Sequence, residues 1–435
     1  MSFAETCESL RLPGPDSADG SPVRIPAGRY FSADFMALEQ HRLWPHVWTV
    51  ATHLSFIRAP GDYITVSVGR ESVVVLRDTD GQVRAFHNTC PHRGMRLCRE
   101  KNGKHRTIRC GYHKWEWSLD GKLRNAADAE SFPVGVPPEH FALEPVRTAT
   151  WAGFVWICLS PNAPDLREYV GSLWPEVAPY QIDEWTAVQD LTVEIPCNWK
   201  TSCDAHNECY HIHTIHPELL ALVDDTAAEI KTVGLHSTIR VPFGLPSARR
   251  NAKTIPPMLK DLMGQLGIDT ANFSGSLEDV RPAIREQFRE IRRARGVQTD
   301  PSNSLSDDRL TDNHQYYIFP NVQLNFYSER VLMFRHRPHP TNPEHMFFDQ
   351  QIFEPRRSAE PTASEHRHLG WREGIEPLGP VNGVDVELLP DVQRGMSSGG
   401  FRGLYLNSAE RPIDQMHRSL DRFLFGETAR AYESE

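Results

Sequence analysis

Cys90-Pro91-His92-Arg93-Gly94 and Cys110-Gly111-Tyr112-His113-Lys114-Trp115 are two short, similar loops, each offering one thiol and one imidazole. Two thiolates and two imidazoles satisfy a tetrahedral zinc ion. They also satisfy a two-iron, two-sulfide cluster in which the cysteines hold one iron and the histidines the other. The loops favour the cluster, because each alternates one Cys with one His, and Pro91, Gly94 and Gly111 let the backbone wrap a bulky group. Replacing two thiolates by neutral imidazoles removes negative charge and sets the potential at roughly −150 to +300 mV, against about −400 mV for an all-cysteine plant-type cluster. A centre of that potential can feed electrons to an oxygen-activating metal.

The surrounding sequence from Trp48 to Ser160 predicts short antiparallel strands. Tyr63 to Val68, Val73 to Arg77, Val83 to Asn88 and Phe154 to Leu159 carry β-branched or alternating apolar residues. Pro60-Gly61, Asp80-Gly81 and Asp120-Gly121 supply the turns between them. Both ligand loops therefore fall inside a β domain. Ahead of it, residues 1–27 are rich in Pro, Gly, Ser and Asp and read as a poorly ordered arm, followed by a helix after Ser32. Behind it, a linker around Pro161 to Pro179 leads to a second domain of helices and strands. Thr186 to Ile195 and Tyr316 to Phe334 are its clearest strands, the latter broken at Pro320-Asn321 and Ser328-Glu329. Residues 277–295 form a charged amphipathic helix, and the chain closes on a helix from about Ile413 to Arg430.

Residues 198–217 in this second domain, Asn-Trp-Lys-Thr-Ser-Cys-Asp-Ala-His-Asn-Glu-Cys-Tyr-His-Ile-His-Thr-Ile-His-Pro, concentrate four histidines and two carboxylates in a predicted short helix. Such density is costly unless something binds there. A ferrous centre that activates oxygen is held on one face by two histidines and one carboxylate, leaving positions open. On an ideal helix, residues three or four apart share a face. Glu208 with His211 and His213 with His216 obey that rule, whereas His211 with His216 does not, so spacing leaves the histidine pair open.

The two motifs, together with Asp62-Tyr63, Val73-Val74-Val75 and the run from Asp80 to Asn88, resemble the Rieske non-haem iron oxygenases, specifically the large (alpha) subunit of ring-hydroxylating oxygenases. The resemblance runs from about Phe31 to the end. It implies an α+β protein with an antiparallel β Rieske [2Fe–2S] domain at 28–165 and a catalytic domain at 180–435. The latter would be a helix-grip-like antiparallel sheet whose helices hold mononuclear iron. It implies Cys90, His92, Cys110 and His113 as the cluster ligands. The family pattern of acid, two residues, His, four residues, His falls on Glu208, His211 and His216, leaving His206 and His213 as non-ligands. Pro217 suits that pair, because the residue before a proline is pushed out of the helical region. The carboxylate ligand of the family lies shortly upstream of a stretch that is Val392-Gln393-Arg394-Gly395 here, and the same offset lands on Asp385, with Glu387 and Asp391 as neighbouring competitors. Glu208, where relatives usually carry Asp, is implied to join His113 of one subunit to His211 of the next in a homotrimer, with or without a separate small beta subunit.

No G-x-G-x-x-G follows a predicted strand, so electrons from NAD(P)H are expected through a separate flavin reductase, directly or by way of a ferredoxin. Basic residues crowd the cluster loops (Arg93, Arg96, Arg99, Lys101 and Lys104 among them) in a chain of formal charge −10, which suits an acidic electron donor. That overall charge argues against nucleic-acid binding, and no apolar run reaches the ~20 residues of a membrane span. The amino terminus lacks a basic segment followed by an apolar one, so the expected location is cytoplasmic. Cys90 and Cys110 aside, the other six of the eight cysteines are expected to be reduced. The expected reaction uses O2 to hydroxylate, foremost to dihydroxylate, an aromatic or other apolar ring. A monooxygenase or O-/N-demethylase is the alternative. The expected pocket draws on Leu219, Leu220, Leu222, Val223, Phe319, Asn321, Leu324 and Phe326.

Overall fold

Val73, Val74 and Val75 are fully buried in the strand Glu71–Arg77, and this β-branched run anchors one of two compact units in the computed structural model. The model describes residues 8–12, 24–295, 304–356 and 363–426. One unit comprises Glu39–Tyr169; the other joins the residues up to Leu38 to those from Val170 onward. In the first, a seven-stranded antiparallel sheet runs in the order Thr49–His53, Phe154–Cys158, Pro145–Trp151, Val83–His87, Glu71–Arg77, Asp62–Val68, Asn102–Lys104. A three-stranded sheet of Ile108–Arg109, Glu116–Trp117 and Leu123–Asn125 carries the second ligand loop. Asp78 closes a hairpin by accepting the backbone N–H groups of Asp80 and Gln82 at 2.9 and 2.8 Å. That is the local turn chemistry expected of an Asp before Asp80-Gly81. Cys90 and Cys110 belong to the core of this unit, beside Val74, Phe86, Trp115 and Trp117.

The second unit is built on an eight-stranded sheet in the order Glu229–Val233, His236–Val241, Asn313–Ile318, Val322–Tyr327, Arg330–Pro338, Met346–Pro355, Trp185–Ile195, Arg367–Gly370. Every pairing is antiparallel except the last. The helices Trp199–His206, Asn382–Met396 and Arg411–Leu424 complete the α+β arrangement, a sheet gripped by helices. Among the described residues no helix is long and apolar enough to cross a membrane.

The expected arm is partly ordered. Residues 1–7, with Cys7, and 13–23 lie outside the described residues, as do 427–430 of the expected last helix. Leu12 and Ile25, however, are buried with Tyr30, Met396 and Ile413. Residues 24–38 thus pack within the unit that carries the C-terminal helices, not with the β unit. Polar contacts explain why. The Tyr30 hydroxyl donates to Asp204 Oδ2 at 2.6 Å and lies 2.8 Å from His417 Nε2. With its hydrogen given to the carboxylate, the hydroxyl accepts from Nε2–H, so His417 Nδ1 is free to accept from Arg29 at 3.3 Å. Arg29 also pairs with Asp421 at 2.5 Å.

Gln393 ties the two site-bearing helices together. Its Oε1 accepts from Asn198 N at 2.9 Å and Thr201 Oγ1 at 2.8 Å, and its Nε2 donates to the Tyr30 carbonyl at 3.0 Å. The side chain is buried, so Gln393→Leu strands three polar groups. The expected cost is about 3 kcal/mol, read as a lowered midpoint in chemical denaturation; an unchanged midpoint would show that these contacts contribute nothing.

Candidate metal centres and substrate cavity

The two ligand loops close with the same hydrogen bonds. Cys90 N donates to Met95 O at 2.8 Å and Gly94 N to Cys90 O at 2.9 Å; Cys110 N donates to Trp115 O at 2.9 Å and Lys114 N to Cys110 O at 3.2 Å. Gly94 and Lys114 occupy matching positions with φ of 71° and 58°. Each loop thus folds its Cys and His toward one side. The rings of His92 and His113 stand 4.8 Å apart, and His92 stacks on Trp115 at 4.8 Å and 8°. Both Nδ1 atoms are buried without a hydrogen-bond partner among the described residues, a costly arrangement unless something binds there. Burial, then the neighbouring His113 and Arg93, lowers the basicity of His92, which favours the neutral, ligating imidazole.

Among the described residues, the set of three or more His, Cys, Asp or Glu side chains whose donor atoms gather within 4.8 Å of one another is His211, His216 and Asp385. Two matching loops, each presenting one buried thiol and one imidazole with an unpartnered Nδ1, fit a two-iron cluster held by two cysteines and two histidines.

His216 Nε2 lies 2.8 Å and His211 Nε2 3.8 Å from Asp385 Oδ1. The expected continuous helix is interrupted here. Trp199–His206 is helical, capped by the Asn198 side chain. The chain then leaves the helix, and a single turn follows at Ile212–Ile215. Just before this turn the Glu208 carboxylate accepts the backbone N–H groups of Tyr210 and His211. His216 stands just past this turn with φ −120° and ψ 53°, outside the helical region, as Pro217 requires. His211 and His216 thus meet despite their spacing of five. His213 turns elsewhere, packing edge-on against Tyr210 at 5.5 Å.

Asp385 sits in the first turn of Asn382–Met396. Pro390 within this helix cannot donate to the Val386 carbonyl, and the Trp371 indole N–H fills the gap at 3.0 Å. Burial disfavours ionisation of Asp385, but the surrounding imidazoles, foremost the hydrogen bond from His216, outweigh it and hold the carboxyl below its ordinary range. One anionic and two imidazole donors on one side of a cavity suit a ferrous ion with open positions. His211 Nδ1 lies 2.5 Å from Glu208 Oε1, the carboxylate support typical of a metal-bound histidine. Glu387 and Asp391 are exposed, the latter paired with Arg394 at 3.0 Å.

The triad opens on a cavity of about 490 Å³. Leu219 and Val223 line it as expected, but Leu220, Leu222, Phe319, Asn321, Leu324 and Phe326 do not. Side chains alternate along a strand. In Val322–Tyr327 the apolar Leu324 and Phe326 are buried away from the cavity, with Phe326 against Tyr180 and Tyr316, while Asn325 and Tyr327 line it. Sequence reasoning also missed an amide chain. Asn382 Nδ2 donates to Gln350 Oε1 at 2.6 Å, Gln350 Nε2 to Gln189 Oε1 at 2.7 Å, and Gln189 Nε2 to the Pro377 carbonyl at 3.1 Å. The alternation of Gln323 and Asn325 with apolar residues in Val322–Tyr327 signals a polar strand face, but Gln350 lies in the run Asp349-Gln350-Gln351 and gives no such pattern.

Comparison with known proteins gives a family match for each unit. The Rieske [2Fe–2S] domain family matches residues 47–138, and the ring hydroxylating alpha subunit (catalytic domain) family matches 182–426. The glycine betaine monooxygenase oxygenase subunit of Chromohalobacter salexigens is 31% identical over 255 residues, covering 55% of this chain and 56% of that protein. The chlorobenzene dioxygenase subunit alpha of Cupriavidus sp. strain PS12 is 33% identical over 196 residues, 42% of each chain. The chain spans about half the length of the curated relatives it matches. A quaternary ammonium Rieske monooxygenase solved with L-carnitine shares the fold with a TM-score of 0.67 at 21% identity, over 96% of this chain and 99% of that one. The catalytic-domain match takes in both histidines and the aspartate of the triad and more than half of the chain, so this protein belongs to the ring-hydroxylating alpha subunit family.

Proposed function

We propose that this chain is the oxygenase subunit of a multicomponent Rieske monooxygenase that hydroxylates a carbon next to the nitrogen of a small quaternary ammonium substrate. Phe243 and Tyr327 carry this reading: they meet edge-on at 6.2 Å and line the cavity that holds the triad, with Phe334 on the same lining. Aromatic faces attract quaternary ammonium groups. Gln189, Asn313 and Gln350 also line the cavity. These amides set a polar edge beside the aromatic corner. The alternative drawn from the sequence, a monooxygenase or demethylase, is therefore preferred to dihydroxylation of an arene. The betaine-oxidising relative supports the same choice.

When bound at His211, His216 and Asp385, ferrous iron would supply O2 activation, and a cluster at Cys90, His92, Cys110 and His113 would supply an electron. The protein's own residues do the rest. Asp385 contributes the anionic donor, Glu208 fixes the His211 tautomer, and the aromatic corner orients the cation. The balance is substrate C–H, O2, two electrons and two protons giving C–OH and water, after which the hydroxylated carbon separates from nitrogen as a carbonyl product. The electrons come from a partner reductase. The test is turnover of the purified protein with a flavin reductase, offering quaternary ammonium compounds beside arenes. A carbonyl product with one O2 consumed supports the reading; diols from arenes and no reaction of any quaternary ammonium compound would sink it.

Arg93, Arg96, Arg99, Lys101, Lys104 and Lys114 are all exposed. Encounter with an acidic donor should therefore slow as salt screens charge beyond about 8 Å. Reversing Lys101 and Lys104 to Glu should slow reduction by the donor without changing iron content. Stopped-flow rates that ignore both salt and charge reversal would leave the collar as an ordinary solvated face.

A further inference from the structure

Three nitrogen atoms in side chains that line the cavity lack a hydrogen-bond partner among the described residues: Nδ1 of His216, which already belongs to the triad, and, outside the triad, Nε2 of His206 and Nδ2 of Asn325. The latter two belong to residues only 8% and 5% exposed. The role of the imidazole follows from its other nitrogen. His206 Nδ1 lies 2.8 Å from the Ser202 carbonyl oxygen, which can only accept, so Nδ1 carries the hydrogen. Burial keeps the ring neutral, and Nε2 is left as a bare acceptor. The Asn325 amide nitrogen is a donor.

Gln315 joins the two. It stands directly opposite Asn325 across the strand pair, and its Nε2 donates to the His206 carbonyl at 2.9 Å. The imidazole is held in place by Phe348 at 5.1 Å and Phe334 at 5.4 Å. An acceptor and a donor are thus fixed on the lining of one cavity, neither used by the protein.

We propose that His206 and Asn325 form a specificity subsite for a hydroxyl group of the substrate, which donates to His206 Nε2 and accepts from Asn325 Nδ2. A carboxylate has no hydrogen to offer His206, and a methyl group satisfies neither nitrogen. The inference rests on this cavity being the substrate site of the proposed oxygenase.

The test is calorimetric titration of the metal-loaded protein with two matched pairs: choline against propyltrimethylammonium, and benzyl alcohol against ethylbenzene. Each pair exchanges one hydroxyl for one methyl. The hydroxyl compound of at least one pair is expected to bind about tenfold or more tightly than its partner. Asn325→Leu and His206→Phe, the latter keeping an aromatic ring between Phe334 and Phe348, should each bring that ratio close to one. A preference confined to the benzyl pair, with the same dependence on both residues, supports the subsite while removing the quaternary ammonium reading. A ratio near one for both pairs in the unaltered protein, or a preference that survives both substitutions, overturns the subsite whatever the substrate class.

Discussion

Asp385→Ala is expected to leave the visible absorption of the cluster intact while iron falls from about three atoms per chain to about two. Turnover should drop about a thousandfold or more. Asp385 offers the anionic donor of the triad, 2.8 Å from His216 Nε2, and its side chain is 9% exposed, with little access for water to take its place. Two neutral imidazoles alone hold ferrous iron weakly and leave its charge uncompensated. Controls separate ligation from general damage. Glu387→Ala, Asp391→Ala and His213→Ala should all keep three irons, because those side chains lie outside the triad; His216→Ala should behave like the aspartate variant. Iron analysis beside the absorption spectrum reads all five. Full iron content in Asp385→Ala would place the carboxylate ligand elsewhere.

The β unit was legible because its signals are local. Val73-Val74-Val75 and the Asp80-Gly81 turn each act over a few residues, and each Cys/His loop closes on itself within six. The iron site was legible only in part. Helical spacing leaves the histidine pair open, because the chain leaves the helix after His206 and resumes only as a single turn at Ile212–Ile215, so ideal-helix faces do not apply. Family resemblance supplied the pairing of His211 with His216 and the offset to Asp385, which no periodicity contains.

The cavity was misread for a different reason. Apolar residues of a strand buried on both faces give no hint of which face meets the substrate. Here Leu324 and Phe326 pack in the core while the amide and phenol of Asn325 and Tyr327 line the cavity. The chain Gln189, Gln350, Asn382 joins residues 161 and 32 positions apart, a contact that exists only after the sheet and helix have formed. The N-terminal segment misled by composition: Pro, Gly and Ser describe residues 13–23, but Leu12, Ile25 and Tyr30 are held by the C-terminal helices.

Glu208→Gln is expected to keep both metal sites yet lose turnover by about a hundredfold. The carboxylate uses one oxygen for His211 Nδ1 and the other for the backbone N–H groups of Tyr210 and His211. All of these are donors. Glutamine has one acceptor oxygen and one donor nitrogen, so it can serve only one side. We propose that His113 of the partner subunit donates to this carboxylate; in the variant it would meet an N–H group instead, and that route between the centres would be broken. The face around Glu208 suits such a partner. A second cavity of about 440 Å³ there is lined by Asp204, Glu208 and Glu410. Its lining also includes Val392, Phe401 and Tyr405, left 45%, 36% and 66% exposed. An acidic hollow with apolar walls complements the basic, aromatic surface near His113, where Arg93 lies over Tyr112 at 5.1 Å. Contact between two different surfaces of the same chain is head-to-tail and forms a ring when its rotation closes; a trimeric ring is our proposal. Rapid mixing should show normal reduction of the cluster by its donor and slow oxidation in the presence of substrate and O2, with Glu208→Asp recovering part of the rate. Normal turnover in the glutamine variant, or full activity in a species that sediments as a monomer, would exclude both the bridge and the ring.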